Sequence, residues 1–401
     1  MLLPQHKGRW SMARSTQKKF NAGLTIFLSI VFLIVGAFGG LVAGFLYDKK
    51  TNPIFKSDVI YGDGISFHFL ELGNKYTGDC TFIQAGATDI LIDAGSKVSS
   101  IPTIQSYLNE HMEDNILEYV IITHAHEDHY AGFAGNSSTD SLFDLFEVKT
   151  IIDFAGTNQT TGKMYNDYLA ERSAEIQAGA KHYTALDCIN ETNGAQTTFE
   201  ISKNVSFKIL NHKFYTEEAE TENDYSVCTL FTDGNSNFLF TGDLEEEGEE
   251  SLAELNELPH CVLYKAGHHG SKTSSHDVLL NEITPEIVCV CCCAGNYEYT
   301  VNSSSATSAN LNNFPTQDFI NRIAKHTSKV YVTTLGIPSY DESLTTEVKY
   351  RNDGFSSMNG NIVVTSSKGN VTVECSNNNT LLKDTDWFKE NRTLPSQWQA
   401  A

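Results

Sequence analysis

Proline is scarce in this chain, eight in 401 residues, and with 40% hydrophobic and 11% aromatic content that excludes a disordered or collagen-like polymer. What remains is a globular protein with core enough for one or two domains. Cysteine is also sparse. Nine thiols, four of them crowded at Cys289, Cys291, Cys292 and Cys293, do not make a disulfide scaffold, and no CxxC pairs have zinc-ribbon spacing. That crowded run sits among Val and Ile, where cysteine behaves as a small hydrophobe. Positive charge is in deficit: 28 Lys and Arg oppose 50 Asp and Glu, a net of −22. Residues 1–50 hold seven of the basic groups against Asp48 alone, so residues 51–401 carry 21 basic and 49 acidic groups, a balance of −28. Such a field repels polyanions over a Debye length of ~10 Å and disfavours general nucleic-acid binding by the body.

One long uncharged run is present, LTIFLSIVFLIVGAFGGLVAGFLY at 24–47. At 1.5 Å per residue it spans a hydrocarbon core of ~30 Å as a helix, and it is too long for the apolar part of a cleaved leader. Five basic residues precede it, so the positive-inside rule places the N-terminus in the cytoplasm and the body outside. The expected order is a cytoplasmic basic segment (1–23), a transmembrane helix (24–47), a polar tether (48–58), a globular body (59–376) and a C-terminal tail (377–401). The protein is thus expected in the cell membrane, single-pass, with its body extracytoplasmic.

Within the body, ISFHFLELG and CTFIQAGATDILIDAG read as strands with a turn at Gly86–Thr88, and IPTIQSYLNEHM has helical spacing at Ile101, Ile104, Leu108 and Met112. Later strands at LEYVIIT, VKTIIDF, CVLYKAG, EIVCVCCC and KVYVTT are interleaved with helical stretches at 162–178 and 316–325. Strands that come first in pairs and then alternate with helices fit two face-to-face sheets with helices outside better than one doubly wound sheet. Asn302–Asn313 and Tyr340–Ser357 read as long loops.

The chemistry concentrates at strand ends. Thr123-His124-Ala125-His126-Glu127-Asp128-His129 closes a buried strand with three imidazoles and a carboxylate, a donor set suited to Zn²⁺ or Mn²⁺. Asp243 in Thr241-Gly242-Asp243 ends another strand and offers two oxygens that can bridge two ions. Gly267-His268-His269-Gly270-Ser271 follows a third, with Lys272 beside it as a cation for a phosphate oxygen or anionic leaving group. The glutamates after Asp243 suit a helix N-terminus and read as solvated.

The series HxHxDH, TGD, GHHGS resembles the metallo-β-lactamase superfamily and, more narrowly, the C-terminal hydrolase domain of the ComEC competence family. The matching stretches are FHFLELGN with GDCTFI, LIDAG, ITHAHEDHYAG, NDYSVCTLF, FLFTGD, YKAGHHGSKTSS and the terminal GNIVVT, covering about Ile65 to Cys375. The resemblance implies an αββα sandwich with two divalent ions at one edge. His124 and His126 would hold the first ion, Asp128 and His129 the second, and Asp243 would bridge them. His268 is the favoured remaining ligand, which leaves His269 to contact substrate or support the loop. Asp128, His269 and Lys272 are the expected catalytic groups, and Asp93 of LIDAG is the structural acid behind the site. A third-motif histidine could be His182 or His212. Departures also matter: the opening ELGNKYTGDC carries extra residues, the NxYGHP loop is reduced to Asn296-Tyr297, and a single span replaces a multi-span channel, so DNA translocation is not implied.

These features point to a membrane-anchored, two-metal hydrolase acting on a small phosphodiester, with no stable protein partner expected. Lys265 and Lys272 beside the metal charges are a local positive island, enough for one or two phosphates. Two other readings are a nuclease acting on oligonucleotides or extracellular DNA, and an inactive, surface-displayed binding module of the same fold.

Overall fold

The computed structural model describes residues 64–296, 313–340 and 350–399. The expected basic segment, transmembrane helix and tether all lie outside them. Among the described residues no helix is long and apolar enough to cross a membrane.

Two eight-stranded sheets form the frame. The first runs β16 (Asn370–Cys375), β15 (Ile362–Ser367), β1 (Ile65–Phe69), β2 (Thr81–Ala85), β3 (Thr88–Ile92), β4 (Ile116–Ile121), β5 (Glu147–Asp153), β6 (Lys181–Thr184). The second runs β14 (Tyr350–Ser357), β13 (Val330–Tyr340), β12 (Ile287–Ala294), β11 (Leu263–Lys265), β10 (Ser236–Phe240), β9 (Cys228–Asp233), β8 (Val205–Leu210), β7 (Thr198–Ser202). The sheets meet through aromatic side chains: Phe67 lies 5.5, 4.7 and 5.5 Å, ring centre to ring centre, from Phe231, Phe238 and Phe240, and Tyr119 lies 5.2 Å from Phe207. Such offset and edge-on pairs add to the burial that holds the layers together.

Helices cover the outer faces. Leu279 and Leu280 of the helix Asp277–Ile283, with Phe319 and Ile320 of the helix Gln317–Ile323, pack in one cluster with Val288 and Val290 of β12. Cys289 and Cys291 of the same strand belong to the inter-sheet cluster instead. A strand buried on both faces has no need of a polar alternation, which accounts for the run IVCVCCCA. All nine cysteines are buried free thiols. The sandwich with helices outside is thus the expected architecture.

The stretch 340–357 departs from expectation. Instead of a long loop, its second half is β14, paired antiparallel with β13 at the sheet edge. An edge strand is held by backbone pairing on one side only and tolerates polar side chains, so its sequence lacks an apolar alternation. Beyond Cys375, Leu382, Phe388 and Trp398 are buried in the cluster behind the second sheet, and Trp398 Nε1 donates to the Thr327 carbonyl at 2.8 Å.

The topology places the site. β3 to β6 run parallel in the first sheet and β10 to β13 parallel in the second. The carboxyl ends of β3, β4, β10, β11 and β12 deliver Asp93, the HxHxDH run, Asp243, the GHHGS loop and the Cys291 carbonyl.

Candidate metal centre

His124 and His126 lie in the loop after β4, and Asp128 and His129 open the helix Glu127–Ala134. Asp93, just past β3 with a left-handed φ of 57°, anchors this loop. Its carboxylate accepts from Thr123 N and Thr123 Oγ1, both at 2.8 Å, and from His129 Nδ1 at 2.8 Å. The bond fixes the His129 tautomer and points Nε2 at Asp243 Oδ2, 3.1 Å away. His124 Nε2 and His126 Nδ1 face each other at 3.0 Å. Asp93 therefore stands behind the site as an orienting acid, as the resemblance implies.

The second sheet supplies the opposite wall. Gly242 has φ 55°, and a Cβ there would lie 2.7 Å from Ser226 Oγ and 2.9 Å from Thr123 Cβ, so only glycine lets the TGD turn bring Asp243 in. Asp243 N donates to Ser226 Oγ at 3.0 Å. In the GHHGS loop, two consecutive histidines are held left-handed, at φ 45° and 53°. His269 Nδ1 donates to the Cys291 carbonyl at 2.9 Å, which turns Nε2 to within 3.2 Å of Asp128 Oδ2 and 3.3 Å of Asp243 Oδ2. His268 is set differently: Nδ1 is 3.0 Å from Thr273 Oγ1 and 3.5 Å from Glu245 Oε1, and Nε2 is 4.0 Å from Asp243 Oδ2. Of the two, His269 reaches further into the cluster, although His268 is the one favoured from sequence.

Burial and crowding make the site electrostatically tense. Burial lowers the His124 imidazole, and His129 and His126 lower it further, to well below its usual value. Burial also opposes charge on His129 and His269, yet Asp243 with Asp93 in one case, and Asp243 with Asp79 in the other, hold both well above it. Burial would raise Asp128, but His269 and His129 bring it down.

The residues fit a metal centre on their own geometry. Among the described residues, Asp243 Oδ1 and His269 Nε2 are buried with no hydrogen-bond partner, a state that costs free energy unless something else binds them. Donor atoms of Asp79, His129, Asp243 and His269 all lie within 4.8 Å of one another. Imidazole nitrogens and carboxylate oxygens converging this closely suit a borderline divalent ion.

Three expected participants sit apart from this convergence. Lys272 lines an adjoining cleft of about 440 Å³ with Asp224, Glu245 and Thr273. His182 Nε2 lies 2.9 Å from Asp153 Oδ1, in a separate network on β5 and β6. His212 donates to the Ser226 carbonyl at 2.9 Å and packs tilted against Tyr215, 3.9 Å between ring centres. The positive island contracts too, because Lys265 is buried against Asp79 rather than turned to solvent. Sequence reasoning gives Asp79 no role of its own, although GDC is among the matching stretches. It also reads Glu249 as solvated. That carboxylate is fully buried and accepts from Ser275 N at 2.6 Å and His276 N at 2.8 Å, pinning the segment that follows GHHGS.

Two face-to-face sheets with helices outside, and a buried cluster of imidazoles and carboxylates where their strands end, define a two-layer α/β protein with a candidate metal centre. A family model described as "Anti-Pycsar protein Apyc1" matches residues 61–278, more than half of the chain, and the protein belongs to that family. Among curated relatives it is similar to ComE operon protein 3 of Bacillus subtilis, 22% identical over 240 residues, which are 59% of this chain and 25% of that one. It is also similar to Recombination protein 2 of Haemophilus influenzae, 33% identical over 249 residues, 61% of this chain and 25% of that one. The chain thus spans about a quarter of the length of these relatives. A solved structure, the metallo-beta-lactamase fold protein YhfI of Bacillus subtilis, is 11% identical and aligns over 67% of this chain and 96% of its own, with a TM-score of 0.37.

Proposed function

We propose that this protein is a membrane-anchored, extracytoplasmic phosphodiesterase that holds two divalent ions, Zn²⁺ or Mn²⁺, and acts on a small phosphodiester. The observation that carries this reading is that two buried atoms at the meeting point of the two sheets, Asp243 Oδ1 and His269 Nε2, have no hydrogen-bond partner among the described residues. His124 and His126 would hold one ion, Asp128 and His129 the other, with Asp243 between them. Geometry favours His269 over His268 as the remaining ligand, because its Nε2 is the nitrogen turned towards Asp128 and Asp243. When bound, the ions supply a nucleophile at neutral pH and offset charge developing on the phosphoryl oxygens.

The chain's own residues do the rest. Asp93 keeps the His129 ring oriented and Nδ1 protonated, and the Cys291 carbonyl does the same for His269. His268, beside Glu245 and Thr273, would then be the histidine left to contact substrate or support the loop. Lys272, which lines the adjoining cleft, would meet an outer phosphate oxygen of a substrate lying across both.

Substrate size follows from charge. The −28 body offers no basic track, and the lysine close to Asp243 among the described ion pairs, Lys265, is already bound to Asp79. A polyanion needs several Lys or Arg contacts, so a small diester is favoured over DNA. Hydrolysis of a small diester by the full-length chain, barely inhibited by excess single-stranded DNA at ~150 mM salt, is the expected result. Tight, steeply salt-dependent inhibition would restore the nuclease reading, and metal uptake without turnover of any ester would favour a binding module. The membrane part has its own test: protease added to intact cells should remove the body and spare the first ~20 residues, the stretch that the charge bias places inside.

A further inference from the structure

Four acid and histidine side chains crowd the centre closely enough to hold one ion, and Asp79 is among them. By donor type and distance it qualifies as a ligand no less than Asp243. Its difference lies in its neighbour. Lys265, the last residue of β11, is buried and ion-paired to Asp79 Oδ2, and its Nζ also lies 3.5 Å from the Gly242 carbonyl and 3.8 Å from Asp243 Oδ1. Asp79 is itself locked in place, with N donating to the Asp128 carbonyl at 3.1 Å and O accepting from Gly95 N at 2.8 Å. Its free oxygen, Oδ1, is 3.2 Å from His269 Nδ1, but that nitrogen's hydrogen bond goes to Cys291 O. Among the described residues Asp79 Oδ1 is left buried without a hydrogen-bond partner, as is Asp243 Oδ1.

A buried ion pair is seldom more stabilising than apolar residues of the same volume. Stability alone is therefore a weak reason for a lysine whose ammonium lies beneath a metal centre. We propose that Lys265 is a positioning residue that withholds Asp79 from the metal, so that the ions see two site carboxylates, Asp128 and Asp243, and not three. The inference rests on the metal-centre reading above. Its chemical consequence is selectivity. Each added carboxylate shifts a site of imidazoles towards harder, higher-coordinate ions such as Mn²⁺, and each one withheld favours Zn²⁺. The cation also offsets the negative charge that Asp79 would otherwise add next to Asp243.

Full-length protein loaded with Co²⁺, and separately equilibrated with a Zn²⁺/Mn²⁺ mixture, reads this directly. Lys265→Met should alter the visible cobalt bands and move the bound Mn:Zn ratio about tenfold or more towards Mn²⁺, the size of effect that groups just outside a metal's ligands commonly have. Asp79→Asn, and Asp79→Asn combined with Lys265→Met, should keep the wild-type bands, because the amide supplies no carboxylate to withhold. A folded Lys265→Met protein with wild-type bands and metal ratio overturns the proposal. So do altered bands in Asp79→Asn, which would make Asp79 a ligand of the native centre. If Lys265→Met does not fold, the Asp79→Asn spectrum decides by itself. Wild-type protein that takes up no metal would bring down the metal-centre reading first, whereas a loaded wild type with an unresponsive Lys265→Met brings down only this inference.

Discussion

Two buried clusters in this molecule are built from the same parts and are in opposite states. Each has an aspartate at the end of a strand with histidine beside it. At Asp153, on β5, Oδ1 faces His182 Nε2 at 2.9 Å, while Oδ2 accepts from Tyr168 OH at 2.9 Å and pairs with Arg172. Burial would raise that carboxyl, but His182 and Arg172 bring it below its usual value, and both oxygens are engaged. At Asp243, three imidazoles gather around one oxygen while the other has no hydrogen-bond partner, and His269 Nε2 has none either. Composition does not separate a structural acid from a metal ligand here. Saturation does: a protein group that already has its partners in the fold has little left to offer an ion.

The sharpest way to break this contrast is to remove each acid and compare the losses. Asp243→Ala should abolish binding of at least one ion and lower turnover by roughly 10³-fold, since ion-based stabilisation amounts to several kcal/mol and each 1.36 kcal/mol is a factor of ten. Metal analysis and steady-state kinetics check it, and unchanged metal content would sink the reading of Asp243 as the bridge. Asp153→Ala should instead leave metal content intact and cost about 3 kcal/mol of stability, because Arg172 loses its counter-charge and buried Tyr168 its hydrogen-bond acceptor. Denaturant unfolding measures that loss, and a fall in bound metal would mean that the clusters are not independent. Between these lies Asp93→Asn, where His129, the proposed ligand, keeps its position but loses its carboxylate partner. A 10- to 100-fold weakening of metal affinity or activity, about what such outer partners contribute, is the expected outcome.

Much of the contrast is legible in the amino-acid sequence. The alternation in CTFIQAGATDILIDAG marks the β2 and β3 hairpin, and a buried strand ending in THAHEDH can point its polar groups only at a site. What is not legible depends on backbone direction and on pairs far apart in the chain. Adjacent histidines carry the same chemistry, and only the left-handed φ values of 45° and 53° decide which ring faces Asp243. Lys265 and Asp79 are separated by most of the body and lie in different layers, so nothing local announces their pairing. Glu249 looks like one more acid in an acidic helix, because its burial comes from the incoming backbone of Ser275 and His276 rather than from its own neighbours in sequence. The packing of Leu382, Phe388 and Trp398 on the second sheet is equally hidden, because three scattered apolar residues make no period.

A third buried acid tests how far saturation governs behaviour when no ion is involved. Asp89, on β3, has one good donor, Gln84 Nε2 at 2.9 Å on Oδ1, and no cation. Burial is the main influence on its carboxyl, and despite the Gln84 bond the charges of Glu118, Asp114 and Glu113 add to it, which raises it to about 7. The unfolded chain releases that proton near 3.8, so between these two values the native state holds more protons than the unfolded one. Stability from this group is therefore fully present below about 3.8 and falls as pH rises towards 7. The direction is opposite to that of Asp153, whose lowered carboxyl contributes most at neutral pH and loses its contribution on acidification. Asp89→Asn keeps an acceptor for Gln84 and removes the titration. Thermal melts should then show a small gain over wild type at pH 8 that disappears by pH 4. Equal melting shifts at both pH values would show that Asp89 is charged in the fold, and that a single amide and a ring of acids can leave a buried carboxylate ionised.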